Sequence, residues 1–375
     1  MKPKLILGVT VGGSSRLLDG QVSYFLNLGY DVYLMSPPHP KERLFCEREG
    51  CKHLPVDIVK DINIRKDLIA LMQIIRYLKA LRPDIVNVGT PKMGLLGIMG
   101  AYITGVKHRI YTCRGFRFET ETGLLRKILI FMEKLTVFLA YKVIYVSPSL
   151  KNAAELYRTG SSKKSVLLGN GSSNGVDIKR FSAHAVSATK REELIRQYQL
   201  QNHLIIGYVG RVSVQKGSFE LVRVFENLYQ SNKQLKLIMI GHDDSPEDFR
   251  NNYMSHPGII HIPFQDDVPL YMSLFDIFVL PSWREGFPNV PIQAAAMGIP
   301  VIVSNATGCI DAVDNNSNGV VFQVKNEKSL KEVLHTYISN ENLRKEHGRN
   351  GIAWAAMFEN SIIWNALNNL YTGML

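Results

Sequence analysis

The sequence predicts an α/β protein of two doubly wound, Rossmann-like domains with mainly parallel sheets. Three observations carry this. Short apolar runs rich in β-branched residues alternate with longer stretches of helical periodicity, the pattern of strands joined by crossover helices. The alternation stops in a turn-rich, polar stretch near residues 169–203 and then starts again. A length of 375 residues is more than one core usually fills, and 46% hydrophobic with 21% charged residues supplies material for two.

In the first half, KLILGVTV, YDVYLMS, DIVNVG, HRIYT and KVIYVS read as buried strands. The stretch 64–83 reads as a helix because Leu68, Leu71, Ile75 and Leu78 recur at helical spacing, and Pro83 ends it. MGLLGIMGAYITG (93–105) reads as a buried helix, and ILIFMEKLTVFLAY (128–141) as a helix with Glu133 and Lys134 inside an apolar run. Neither reaches the ~18 uninterrupted apolar residues of a membrane span. Arg114, Arg117, Arg126 and Lys127 near the second leave two readings, a basic-apolar face for a membrane surface or an amphipathic helix whose apolar side joins the core.

The turn-rich GNGSSNGVD and the polar SAHAVSATKREE form the connection. This sets an N-terminal domain at 1–185, a C-terminal domain at 186–355 and a last helix, 356–375, packing back toward the N-terminal domain. LIIGYVG, LKLIMIG, GIIHIP, DIFVLPS and PVIVS read as the strands of the second domain, and helical patterns near 326–349 and 353–371 close the chain. The opening MKPKLILGVTVGGSS has the positive start of a signal peptide. Its short apolar run breaks at Gly12 and Gly13 with no cleavage pattern, so it reads as a buried first strand.

Net charge is +11, unevenly spread: residues 1–185 hold 28 Lys+Arg against 14 Asp+Glu (+14), and the remainder 16 against 19 (−3). A basic first half attracts phosphate-bearing ligands, nucleic acid or an anionic membrane, and charge alone does not choose among them. Basic runs interleaved with aromatics are missing, which weighs against nucleic acid. Cys46, Cys51, Cys113 and Cys309 are too few and scattered for a disulfide framework, so a reducing, cytoplasmic compartment is expected. The Cys46 and Cys51 pair has no second pair at metal-ligand spacing, and no metal is expected.

In doubly wound sheets, ligands bind beyond the carboxyl ends of the strands, in the loops leading to helices. Two such loops stand out. GRVSVQKGS (210–218) places Arg211 and Lys216 between a strand and a helix start, an arrangement that holds a diphosphate. It is not a P-loop, because Gln215 stands where the second glycine belongs. PSWREGFPNVP (281–291) places Glu285 after a strand, with Pro288 at a helix start and the amides of Asn289 and Val290 at its terminus. Cations for phosphates beside a carboxylate for hydroxyls suit a nucleotide sugar.

GRVSVQKG, the segment VPLYMSLFDIFVLPSWREGFPNVPIQAAAMGIPVI, GNGSSNGVDIKRF and YTCRGFRFETETGLLRK together resemble the retaining glycosyltransferases of family 4, of GT-B architecture, in which two Rossmann-like domains border a central cleft. Within the family the likeness is greatest to bacterial enzymes of capsule, O-antigen or exopolysaccharide synthesis. The resemblance implies transfer of a sugar, with retention, from a nucleotide diphosphate donor, by family likeness UDP-linked, to a glycan or lipid-linked acceptor. It gives Arg211 and Lys216 to the diphosphate and Glu285 to the donor sugar, as the first acid of an E-x7-E motif. Gly286, Phe287, Pro288, Asn289 and Val290 line the donor. Gly12 and Gly13 match the glycine-rich loop that lets phosphates or acceptor approach the backbone.

Two positions depart from the family pattern. Gln293 stands where the second acid usually holds the nucleotide ribose; its carbonyl accepts a hydrogen bond without charge assistance. Arg114 stands where many relatives have histidine, and its guanidinium suits an acceptor phosphate or the donor sugar. No metal or other cofactor is expected, and the basic first domain gives the protein a possible seat at the inner face of the cytoplasmic membrane. An epimerase on the same architecture is the alternative enzyme. A dinucleotide dehydrogenase is disfavoured because neither first strand leads into G-x-G-x-x-G.

Overall fold

The computed structural model describes residues 2–59 and 61–375. They form two compact units, one of residues 1–175 with 360–375 and one of residues 176–359. The first unit ends at Gly175 rather than 185, and the polar stretch read as connection contains a helix of the second unit, with Ser187 accepting from the Lys190 amide as its cap.

The first unit runs β1 (Lys4–Gly8), α1 (Gln21–Asn27), β2 (Asp31–Ser36), α2 (Pro40–Glu49), β3 (Lys52–Pro55), α3 (Ile64–Leu81), β4 (Ile85–Gly89), α4 (Pro91–Ile103), β5 (His108–Cys113), α5 (Gly123–Leu139), β6 (Lys142–Tyr145), α6 (Pro148–Leu156) and β7 (Ser165–Leu167). Its seven strands are all parallel, in the order β3-β2-β1-β4-β5-β6-β7. The winding direction reverses between β1 and β4, so the carboxyl ends of these two strands border a crevice.

α3, α4 and α5 cover one side of this sheet in sequence. α4 lies close because Gly94 and Gly97 sit directly on Tyr111 and Val88. On α3 the buried residues are Ala70, Ile74 and Leu78, and Leu68 is 55% exposed. The helix expected at 64–83 is there, but its buried stripe is rotated from the Leu68, Leu71, Ile75, Leu78 face. The small Ala70 takes the crowded position, so the larger chains turn outward. α5 shows the same inversion more strongly: Leu124, Phe131 and Phe138 are 73%, 66% and 74% exposed, whereas Glu133 is buried.

Glu133 lies under β5, where the Tyr111 hydroxyl donates to Oε2 at 3.2 Å and the Cys113 thiol approaches Oε1 at 3.7 Å. Burial pushes its pKa up to about 7, against the pull of these two donors. A carboxyl whose folded pKa is raised binds its proton more tightly when folded. Its stabilising effect is complete below the unfolded value and is lost as pH rises through about 7. Glu133→Gln mimics the protonated form. The variant is expected to match the wild type in urea unfolding at pH 4 and exceed it by up to ~3 kcal/mol at pH 8; equal stability of the two proteins at both pH values would refute this.

The second unit runs α7 (Ala188–Gln197), β8 (Leu204–Val209), α8 (Ser218–Ser231), β9 (Leu235–Ile240), α9 (Glu247–Met254), β10 (Ile259–Ile262), α10 (Val268–Met272), β11 (Ile277–Leu280), α11 (Asn289–Ala296), β12 (Val301–Ser304), β13 (Gly319–Phe322), α12 (Glu327–Ser339) and α13 (Glu341–Ala356). Its parallel sheet has the order β10-β9-β8-β11-β12-β13, reversing between β8 and β11. Asp276 borders β11: its carboxylate accepts from the Ile205 amide at 2.7 Å, and its own amide donates to the Ile205 carbonyl, which ties the two strands at this reversal.

The last helix, α14 (Asn360–Thr372), belongs to the first unit. Its Ile363, Leu367 and Tyr371 are buried against Leu5, Leu7, Val22, Phe25 and Ile110. Asn87 donates to the Tyr371 hydroxyl at 2.6 Å, and Trp364 donates to Asn174 at 2.7 Å.

Candidate active site

The two loops singled out in the second half leave adjacent strands, β8 and β11, at the reversal point of the second sheet. The β8 loop makes a short 3-10 turn, Val214–Lys216, and enters α8 through Gly217. Gly217 has φ +66°, and a Cβ there would stand 2.0 Å from the Pro281 carbonyl oxygen. Only glycine lets the two loops approach this closely. The Trp283 amide then donates to the Gln215 carbonyl at 3.0 Å, and the Trp283 indole to Glu220 at 3.0 Å.

Lys216 and Glu285 meet here in a direct ion pair between Nζ and Oε1. Ser282 donates to the same carboxylate oxygen at 2.7 Å, and the Glu285 amide donates to the Thr307 carbonyl at 2.9 Å. The two side chains keep 25% and 15% of their surface exposed, so the pair is shielded but reachable. Shielding strengthens the attraction relative to a surface pair.

Arg211 does not join this pair. Its Nη1 contacts Asp244 Oδ2 at 3.1 Å, with both side chains about half exposed, and its carbonyl accepts from the Tyr208 hydroxyl at 2.6 Å. An ion pair so exposed is weak and open to exchange for a better anion. Asp243, next in line, is engaged internally by Ser245, Arg250 and Tyr253. His242 stacks on Phe264. Among the described residues no cluster of three or more His, Cys, Asp or Glu has metal-holding geometry.

Pro288 stands one place ahead of the predicted position, as the residue before α11 rather than its first, and Gly286 beneath it is buried. Phe287 packs on Phe358 at 5.1 Å between ring centres. Asn289 and Val290 open the helix, partly exposed. Gln293 follows on its second turn, also partly exposed, and its side chain bonds to no described residue.

In the first unit, Gly12 and Gly13 follow β1 as read. The Gly13 amide is taken by the Glu42 carboxylate, so this loop is held from α2 by an acid that the sequence reading did not find. Ser282 was missed too, and Asp244, readable after its strand as a loop residue near the nucleotide, was not paired with Arg211. A serine three residues before a glutamate reads as a helix cap by spacing, and nothing local pairs Asp244 with Arg211. Arg114 lies at the end of β5, beside the carboxyl end of β4.

Two doubly wound parallel sheets, with a lysine–carboxylate pair at the reversal of the second, define a GT-B glycosyltransferase. Two family models cover most of the chain: Glycosyltransferase Family 4 over residues 11–180 and Glycosyl transferases group 1 over residues 190–354. A Staphylococcus aureus protein described as capsular polysaccharide biosynthesis glycosyltransferase CapM is 34% identical over 372 residues, spanning 98% of this chain and 96% of that protein. A Campylobacter jejuni N,N'-diacetylbacillosaminyl-diphospho-undecaprenol alpha-1,3-N-acetylgalactosaminyltransferase is 25% identical over 302 residues, 79% of this chain and 78% of that one. The crystal structure of Anabaena HepE in complex with UDP superposes with a TM-score of 0.80 over 100% of both chains at 17% identity, a likeness of fold. The chain belongs to the family 4 glycosyltransferases.

Proposed function

We propose that the protein transfers a hexose from a UDP-sugar, with retention of anomeric configuration, to a hydroxyl of a lipid-linked glycan during synthesis of a surface polysaccharide of the capsule or O-antigen kind. The observation that carries this is the Lys216–Glu285 pair at the strand reversal of the second sheet. Without donor, the two charges neutralise each other. With donor, Lys216 turns to the diphosphate and Glu285 accepts from sugar hydroxyls, each exchanging one partner for another of similar strength. Arg211, held only by the exposed Asp244, adds a second cation, and the start of α11 adds the positive end of its dipole. Charge growing on the leaving diphosphate is thereby met by groups already in place, the term that usually dominates such catalysis. We expect these groups to suffice without a divalent metal, so that turnover survives EDTA. Support for the lipid-linked acceptor and the polysaccharide setting comes from the Campylobacter and Staphylococcus relatives, and for UDP from the HepE complex.

The test is a panel of nucleotide sugars screened by thermal shift, followed by nucleotide release with and without acceptor. A ligand held by the native fold raises its melting temperature. Acceptor-dependent release of UDP supports the reading; conversion of the donor without acceptor would make the protein an epimerase instead. In the same assay Gln293→Glu is expected to lower the donor KM roughly threefold to tenfold, because a carboxylate strengthens a hydroxyl hydrogen bond. An unchanged KM would remove Gln293 from the ribose.

The exposed Leu124, Phe131 and Phe138 on α5, with Lys127 and Lys134 on the same helix, also support a seat on an anionic bilayer. Phe131→Ser with Phe138→Ser should weaken sedimentation with phosphatidylglycerol vesicles roughly tenfold or more; retention of full binding would dismiss this face.

A further inference from the structure

The first sheet carries a cation that has no counter-charge among the described residues. Arg114 follows β5 directly and lies across the end of β4, with Nη1 only 1.7 Å from where a Cβ on Gly89 would stand. Its Nε is buried with no hydrogen-bond partner, and the guanidinium makes no hydrogen bond or ion pair with any described residue. The groups that bear on it electrostatically are Tyr111, Tyr371 and Cys113, all neutral at physiological pH, and burial pulls its pKa down to about 10, so it stays charged. The side chain as a whole is half-buried, so the unpaired Nε is the costly part: a buried donor left without a partner is unfavourable and favours an acceptor that can reach it.

The guanidinium borders a cavity of about 10 Å³, room for the centre of one water-sized group, at the carboxyl ends of β1, β4 and β5. Of the other polar side chains of its wall, Thr112, Asn87 and Gln21 are committed elsewhere, and Ser173 adds a hydroxyl. Thr112 donates to Asn87 at 2.7 Å, Asn87 donates to Tyr371 at 2.6 Å, and Gln21 donates to Asn174 at 3.1 Å. Next to Gly89, Thr90 adopts φ 70° and ψ 146°, a strained conformation for a residue with a side chain, fixed by a 2.5 Å contact between its hydroxyl and that of Thr10. A rigid wall, an uncommitted fork of donors with the Ser173 hydroxyl beside it, and a position at the strand reversal together describe an anion receptor.

We infer that Arg114 is the binding residue for a phosphate of the sugar acceptor, one oxygen of which enters the cavity while the guanidinium takes the group bidentately. The anion belongs to the acceptor because the donor diphosphate has its own cations, Lys216 and Arg211, in the other unit. The name of the ligand rests on the glycosyltransferase reading; the anion site itself does not.

The experiment uses the full chain and inorganic pyrophosphate as probe, with UDP at saturation to fill the donor site, read by thermal shift and calorimetry. Pyrophosphate is expected to stabilise the UDP-saturated wild type. Arg114→Gln should lose at least tenfold in pyrophosphate affinity, and Arg114→Lys, which keeps the charge without the fork, should fall in between. Gly89→Ala should weaken binding without touching any charge, by displacing the guanidinium. The UDP shift should be the same in all four proteins. If Arg114→Gln does not fold, the lysine and Gly89 variants decide. Equal pyrophosphate affinity in the wild type and the variants, or no binding over UDP in the wild type, overturns the proposal. Loss of the UDP shift in every protein, with the Arg114-dependent pyrophosphate shift intact, would sink the UDP-donor reading and leave the anion site standing.

Discussion

Lys216→Ala should lower kcat by roughly 10²- to 10³-fold, the usual cost of removing one preorganised group that stabilises charge in the transition state. The fold should survive. Lys216 keeps a quarter of its side-chain surface exposed, and Glu285 retains Ser282 as a donor. Glu285→Ala should damage transfer through the sugar, with a higher donor KM as well as a lower kcat, and should leave the affinity for free UDP nearly unchanged. The double variant separates two accounts of the pair. If Lys216 and Glu285 act on different parts of the donor, their effects on kcat/KM should nearly add. If each serves only to position the other, the double variant should be no worse than the poorer single one. Normal turnover in both single variants would refute the assignment of the site.

Removal of Asn360–Leu375 should be the most damaging structural change. The segment inserts Ile363, Leu367 and Tyr371, each no more than 2% exposed, into the core of the first unit, where Ile363 joins Ile110 and Leu5, residues from the distant first half of the chain. Each such side chain contributes ~1.5–3 kcal/mol by burial, and the deletion also exposes the surfaces of Leu5, Phe25 and Ile110. It strips Asn87 and Asn174 of partners as well. Together these losses rival the whole ~5–15 kcal/mol stability of a domain, so the first unit of the truncated chain should be digested rapidly by protease. The single variant Leu367→Ala should cost ~2–5 kcal/mol. A truncated chain with unchanged melting and protease resistance would show that α14 is dispensable.

Much of this architecture was legible because it is written locally. Parallel strands buried on both sides need continuous apolar runs, and DIVNVG, LKLIMIG and DIFVLPS supply them. Lys216 and Glu285 were legible as chemistry because each follows a strand and precedes a helix, the place where a doubly wound sheet presents its loops. Periodicity identified α3 as a helix but not its covered side, because it reports where apolar residues lie, and a helix with large apolar chains on more than one side does not say which will be covered. α5 has the same ambiguity, resolved with a carboxyl inside and phenylalanines outside.

By itself the sequence determined two parallel α/β sheets, the glycine-dependent turns, and which loops carry charge toward a ligand, since these follow from patterns a few residues long. Tertiary structure alone decided that Lys216 bonds Glu285 while Arg211 turns to Asp244, and that the half-buried Arg114 has no counter-ion among the described residues. It also decided which residues of α14, Ile363, Leu367 and Tyr371, enter the core of the first unit. The reason is distance along the chain: electrostatic partners and the covering of a core are chosen by which elements the crossovers bring side by side, and no local pattern encodes that choice.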